Sequence, residues 1–300
     1  MTQATASSEV RDRDSQLAEV QSAIAEISHI ATLPEVTVKI IRLVEDPDAT
    51  AQDLNKVITY DPALGARILK VVNSVFYGLP GQIGSINRAI ILLGLNAIKN
   101  IAIAASLTKL FRGGKISDQF NARDLWTHSI GVATTTHLLS DTIDLGLPDE
   151  AFLAGLIHDL GIMVEFQVRR QKFAQVIEKL NASPRTSFRE LETEIVGANH
   201  EQFGSGLCRR WQFPACFADV TGFHHHPLDL VAANRTLPSL VHMADVLSAR
   251  MNIGFTRTVE TDEFSPELMD QLKITESQIQ QVTEMVPKTI KEASAMLSHS

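Results

Sequence analysis

Cysteine is nearly absent: Cys208 and Cys216 are the only two in 300 residues, which excludes a disulfide framework and any cysteine-based zinc motif. Both fall in an apolar stretch that contains Trp211, so they are expected as buried small side chains in a reducing compartment. No segment reaches the roughly 18 consecutive apolar residues of a membrane-spanning helix. The most apolar segment, Ala89 to Leu95, is followed at once by Asn96, Lys99 and Asn100. Residues 1–15 are polar, carry charges of both signs and lack the apolar core of a secretory signal. The expectation is a cytoplasmic chain with a disordered tail over residues 1–15 and no membrane contact.

Acidic residues are missing from one long stretch. Between Pro62 and Ser117 there is no Asp or Glu, while Arg67, Lys70, Arg88, Lys99, Lys109, Arg112 and Lys115 contribute +7; with a net charge of −8, the remainder carries −15. Helices that differ in surface charge would give this pattern. So would a basic patch, with Arg67, Lys70, Arg88 and Lys99 as its candidates, for an anionic partner.

Period-2 alternation and internal repeats are also lacking, and what is there instead is helical periodicity almost throughout. Leu17, Val20, Ile24 and Ile27 form one stripe, and Val36, Ile40, Leu43 and Val44 a second after Leu33-Pro34. Thr50 with Asp53 resembles a capping arrangement. Asp61-Pro62 reads as N-cap and first helical residue, with Leu64, Ile68, Val71 and Val72 facing inward. Gly78, Pro80, Gly81 and Gly84 require a loop; Ser85 then caps a helix that stops at Gly94. A further helix is expected from about Asn96 to Phe111. Gly113-Gly114 then divides the chain into a first helical subdomain, residues 16–114, and a second, residues 115–300. In the second, helices are expected near 122–140, from Pro148, after a Ser187/Glu190 capping box, near 200–211, 215–225 and 239–250, and as a pair after Ser265-Pro266. The fold class is all-α, two packed helical subdomains.

The chemistry concentrates in the second half, where seven of the ten histidines lie between His128 and His226. His158-Asp159 follows the apolar run Phe152 to Ile157; the pair could simply mark a helix end, or could offer imidazole and carboxylate to a divalent ion. His128 and His137 are nine residues apart, which at about 100° per residue puts them on opposite faces, so only one can face the core. His200, His224, His225, His226 and Asp245 are further candidates, because such groups on apolar helix faces are costly to bury unless paired or coordinated. His226, directly before Pro227, suits a helix end better than a ligand. Trp126 and Trp211 read as core aromatics, Phe76 and Tyr77 as a packing plug, and Asn73 as a buried polar group that pins the glycine loop.

Trp126-Thr127-His128-Ser129 and Gly155-Leu156-Ile157-His158-Asp159-Leu160-Gly161 resemble the HD superfamily of metal-dependent phosphohydrolases. His200-Glu201-Gln202-Phe203-Gly204, Gly222-Phe223-His224-His225-His226-Pro227 and Met243-Ala244-Asp245 are similar to its HD-GYP and HDOD branches. In the first half, Asp61-Pro62-Ala63-Leu64, Val72-Asn73-Ser74-Val75-Phe76-Tyr77-Gly78 and Ile86-Asn87-Arg88-Ala89-Ile90-Ile91-Leu92-Leu93-Gly94 are closely similar to the HDOD signature. The resemblance implies an HD-like helical core and a regulatory role in bacterial signalling. It also implies metal-ligand positions at His128, His158, Asp159, His200, His224, His225 and Asp245, with Asp159 as the candidate catalytic residue. One or two divalent ions (Fe, Mn, Ni, Zn or Mg) would be the cofactor. Two departures weigh against cyclic di-GMP hydrolysis: Ile162 stands where many HD-GYP enzymes carry lysine, and His226-Pro227-Leu228 replaces the Gly-Tyr-Pro element.

Three functions follow. The first is a regulatory module that binds a signalling protein or a nucleotide-like ligand between its halves, without strong catalysis. The second is a metal-dependent phosphohydrolase, with His128, His158, Asp159 and Asp245 on one ion and His200, His224 and His225 on another. The third is a nucleic-acid-binding regulator using Ile86 to Ile101 as a helix-turn-helix, opposed by the apolar residues there and by the acidic total.

Overall fold

The computed structural model describes residues 14–27, 34–108, 110–111, 114–117, 120–183 and 186–297. The expected tail lies outside the described residues up to residue 13, as do Lys109, Arg112 and Gly113. The chain is all-α. Among the described residues the only sheet is a small antiparallel pair, β1 (Lys115–Ser117) with β2 (Phe120–Asn121), set where the first half passes into the second.

In the first half, α1 (residues 14–27) is followed by α2 (Glu35–Glu45), α3 (Ala51–Thr59), α4 (Pro62–Val72), α5 (Ile86–Leu93) and α6 (Leu95–Leu107). Local chemistry sets these boundaries. Thr50 and Asp53 form a reciprocal capping box on α3. Asp61 accepts from Leu64 N ahead of Pro62, and Ser85 accepts from Arg88 N. Gly94 has φ 90°, a conformation side chains resist, which ends α5 and turns directly into α6. Helix α6 is the centre of this half, in contact with α2, α4 and α5 and, across the seam, with α8. It ends at Leu107, short of the expected Phe111, which lies in the turn beyond.

The second half comprises α7 (Ala122–Thr142), α8 (Pro148–Ile157), α9 (Leu160–Val168), α10 (Arg170–Ala182), α11 (Phe188–Ile195), α12 (His200–Arg210), α13 (Ala215–Phe223), α14 (Thr236–Arg250), α15 (Pro266–Leu272) and α16 (Glu276–Leu297). Helix α7 is its axis, packed by α8, α14 and α16. Residues 148–168 together are long and apolar enough to cross a membrane by composition, yet they lie mostly buried and are broken at His158–Asp159. Ser187 caps α11 through Glu190 N, one half of the expected box.

The seam between the halves is a plug of aromatic side chains. Phe76 packs its ring on His137 (4.8 Å) and Phe152 (5.4 Å), and the Tyr77 hydroxyl donates to Asp149 Oδ1 at 2.9 Å. Helix α1, which sequence order assigns to the first half, is tied to the second: Arg169 donates to Glu19 (2.5 Å) and Glu26 (2.8 Å), and Gln202 to Gln16 (2.9 Å).

Four expectations need correction. Leu17 is 56% exposed, because α1 docks through Val20, Ala23, Ile24 and Ile27. Cys216 is exposed in the first turn of α13, whereas Cys208 is buried as expected. Asn73 does pin the loop, through Ile83 N and O at 2.6 and 2.9 Å, but from an exposed position at the end of α4. Trp126 is only partly buried against the core, while Trp211 is buried.

Candidate metal centre

The break between α8 and α9 is where the site begins. His158 is the C-cap of α8 and Asp159 the N-cap of α9, so the pair sits at a kink with both side chains fully buried. That kink requires Gly161: a Cβ there would lie 1.8 Å from His200 O and 2.7 Å from Gly204 N, so only glycine lets α9 meet α12 this closely. His128 comes from the middle of α7, His200 opens α12, His224 and His225 follow α13, and Asp245 comes from α14. His137, about two and a half turns along α7 from His128, faces the seam instead, as the nine-residue spacing requires.

Four imidazoles share one arrangement. Nδ1 of His128 donates to Ile253 O (3.1 Å), that of His158 to Gly155 O (2.7 Å), that of His224 to Val220 O (3.2 Å) and that of His200 to Glu192 Oε2 (2.7 Å). A ring that donates from Nδ1 keeps its lone pair on Nε2. All four Nε2 atoms turn to Asp159. Its Oδ2 lies 3.3 Å from His158 and 3.9 Å from His128; its Oδ1 lies 3.4 Å from His224 and 3.5 Å from His200. Asp245 Oδ1 completes the first side, 2.9 Å from His128 Nε2 and 3.9 Å from His158 Nε2. On the second side His225 Nε2 is 3.0 Å from His200 Nε2.

The residues fit divalent ions. Nε2 of His128, His158 and His224, both oxygens of Asp159 and Oδ1 of Asp245 are buried without a hydrogen-bond partner, an arrangement that is costly unless a cation satisfies it. Ligand atoms of Asp159, His200, His224 and His225 lie within 4.8 Å of one another, as do those of His128, His158 and Asp159 and those of His158, His224 and Asp245. Two nitrogens each about 2.1 Å from one ion and at right angles would be about 3.0 Å apart, which is the His200–His225 separation. Asp159 presents one oxygen to each set of imidazoles.

The electrostatics single out His158: burial opposes charge there, yet Asp159 and Asp245 beside it raise its pKa to about 9, so its Nε2 carries a proton that a bound ion would displace. Burial would raise both aspartates, but the imidazoles hold Asp159 well below its ordinary value and Asp245 below its own. Burial, with His224 and His200 nearby, pushes His225 well below the usual histidine range, leaving the neutral ring a metal requires. Beneath His200 lie two glutamates, both buried. Burial raises Glu165 and Glu192 well above the carboxylate range, and Glu192 raises Glu165 further.

A family model for the HDOD domain matches residues 30–227. The chain belongs to the HDOD family. An uncharacterized protein of Treponema pallidum (strain Nichols) is 26% identical over 216 residues, which is 70% of this chain and 40% of the relative, so the chain spans well under half of that curated protein. An HDOD domain protein of unknown function from Geobacter sulfurreducens superposes with TM-score 0.79 at 22% identity, covering 94% of this chain and 98% of its own. A proposed phosphohydrolase from Shewanella amazonensis SB2B gives 0.72 at 20%, covering 93% and 98%, and a proposed signal transduction protein from Marinobacter aquaeolei VT8 gives 0.72 at 22%, covering 96% and 64%. At these identities the structures establish the shared fold.

The HDOD cluster thus brings together His128, His158, Asp159, His200, His224, His225 and Asp245, all from the second half. His226 stays outside it, with Nδ1 accepting from Arg189 at 2.9 Å. Of the four candidates for a basic patch, Lys99 is withdrawn from the surface. Lys99 is only 3% exposed, because α6 is the central helix of its half; its ammonium donates to Leu43 O, and burial lowers its pKa. Arg67 is half-buried, and Lys70 and Arg88 are exposed. In the helix–Gly–helix at Ile86 to Ile101, α6 is buried from Ala97 onward. Sequence reasoning missed Glu192, Glu165 and Arg189. Glu165 carries the signal of a carboxylate inside an apolar helical run, the same signal that singled out Asp245, whereas Glu192 lies among the charged residues of α11 and carries none.

Proposed function

We propose that this HDOD chain is a regulatory module of bacterial signalling that holds one or two divalent ions and responds to a phosphate-bearing ligand or a protein partner without rapid turnover. The observation that carries this reading is a ligand set that is complete yet sealed. His128, His158, Asp159, His200 and His224 have no exposed surface, and His225 shows only 6% of its side chain. Ile162, at the position of the HD-GYP lysine, is itself buried in the core, so no cation approaches the cluster from that side.

A phosphohydrolase is the second reading, favoured by the Asp159 carboxylate lying between two imidazole sets. A bound ion would lower the pKa of a coordinated water and polarise a phosphoryl oxygen. The chain's own contribution would be to fix four Nε2 lone pairs and to exclude bulk water. Metal analysis of purified protein, followed by a phosphodiester screen with His158→Ala and Asp159→Ala controls, separates the two. Bound metal without turnover supports the regulatory reading. Turnover abolished by both substitutions supports the enzyme, and absence of metal at saturating Mn²⁺ overturns both.

A further inference from the structure

The sealed cluster has one polar edge, at His225 and His226, and the cation there is Arg189. Its Nη1 donates to Glu201 Oε2 at 2.8 Å and to His226 Nδ1 at 2.9 Å. Glu201 is 1% exposed and its other oxygen accepts from His225 N at 3.2 Å, so this arm is fixed to the cluster's backbone. The other arm of Arg189 is different. Its Nε (3.4 Å) and Nη2 (3.2 Å) hold the carboxylate of Glu260, to which the Ser187 hydroxyl also donates. Glu260 stands on the loop between α14 and α15, and its side chain is 34% exposed.

A carboxylate held by a forked guanidinium and a hydroxyl at the start of α11 has the coordination of a bound oxyanion. We propose that Ser187 and Arg189 form a phosphoryl-binding site at the mouth of the metal centre, and that the Glu260 carboxylate fills it as a displaceable internal stand-in. Three features favour this over a purely structural ion pair. Arg189 already has a fully buried partner in Glu201, so Glu260 is not needed to neutralise it. Glu260 comes from an irregular loop and can withdraw without unpacking a helix. The site also adjoins the cluster: Arg189 donates to His226 Nδ1 at 2.9 Å and to Glu201, whose other oxygen accepts from His225 N. The ligand class is a phosphate ester, such as a nucleotide, whose phosphoryl oxygens exchange with the carboxylate.

The inference rests on the reading of the cluster as a centre that meets a phosphate-bearing ligand, and the test keeps the two apart. Inorganic phosphate is titrated by calorimetry into the full chain, both metal-stripped and Mn²⁺-loaded, for the unsubstituted protein, Glu260→Gln and Arg189→Gln. Removing the competing charge should tighten phosphate about tenfold in Glu260→Gln, and removing the charged fork should weaken it about tenfold in Arg189→Gln. A structural ion pair would make both substitutions act in the same direction. Weakening in both, or no change in either, overturns the proposal. Glu260→Asp, which keeps the charge on a shorter arm, should fall between the unsubstituted protein and Glu260→Gln; tightening beyond Glu260→Gln also overturns it. The metal-stripped titrations decide the anion site even if the ion reading fails.

Discussion

Asp159 is the residue on which the centre turns, because its two oxygens face different sets of imidazoles. Asp159→Ala should remove most bound metal, at least about tenfold in affinity, given that even outer partners of ligands cost 10–100-fold. His226→Ala should retain it, and elemental analysis of the two variants checks both. Glu165 makes a different prediction. Its folded pKa is raised well above 4.5 by burial and by Glu192, so the folded state holds a proton that the unfolded state releases. Stability should therefore fall as pH rises above about 4.5 toward the elevated value. Urea denaturation across that range should show the decline in the unsubstituted chain and a flatter profile in Glu165→Gln.

At the scale of the element, α9 and α12 cross with glycine between them. A methyl group at position 161 would meet His200 O at 1.8 Å, a backbone contact no rotamer relieves. Gly161→Ala should cost about 3 kcal/mol or more, read as a lowered midpoint in thermal denaturation together with loss of metal. Helix starts were the most legible feature of the sequence. Thr50, Asp61, Ser85 and Ser265 all cap where their side chains predict, since capping is a contact between near neighbours. Helix burial was less so. Leu17 continues a perfect apolar stripe yet faces solvent, and Lys99 lies inside, because which face is covered depends on partners far away in sequence. The metal candidates were readable as a family pattern, and His128 was separable from His137 by angle alone. Their convergence on Asp159 required the packing of six helices, and the carboxylates behind and beside them carry no motif.

For the whole molecule, the seam matters most. Tyr77 is half-buried and bonded to Asp149, whose own pKa is raised by burial despite that bond. Tyr77→Phe should cost about 1 kcal/mol by leaving a half-buried carboxyl without its donor. In a double-mutant cycle with Asp149→Asn, the two losses should fall short of adding, which denaturant melts of the four proteins will show. Phe76→Ala should cost more, about 3–5 kcal/mol, as the ring fills the junction between His137 and Phe152.

Helix α8 begins at the seam, with Asp149 in its first turn, and ends at His158. Ten residues span about 15 Å, and a helix this short and this well packed behaves as a strut. Opening the two halves at Tyr77 would therefore load the histidine–aspartate corner at the far end of the same helix.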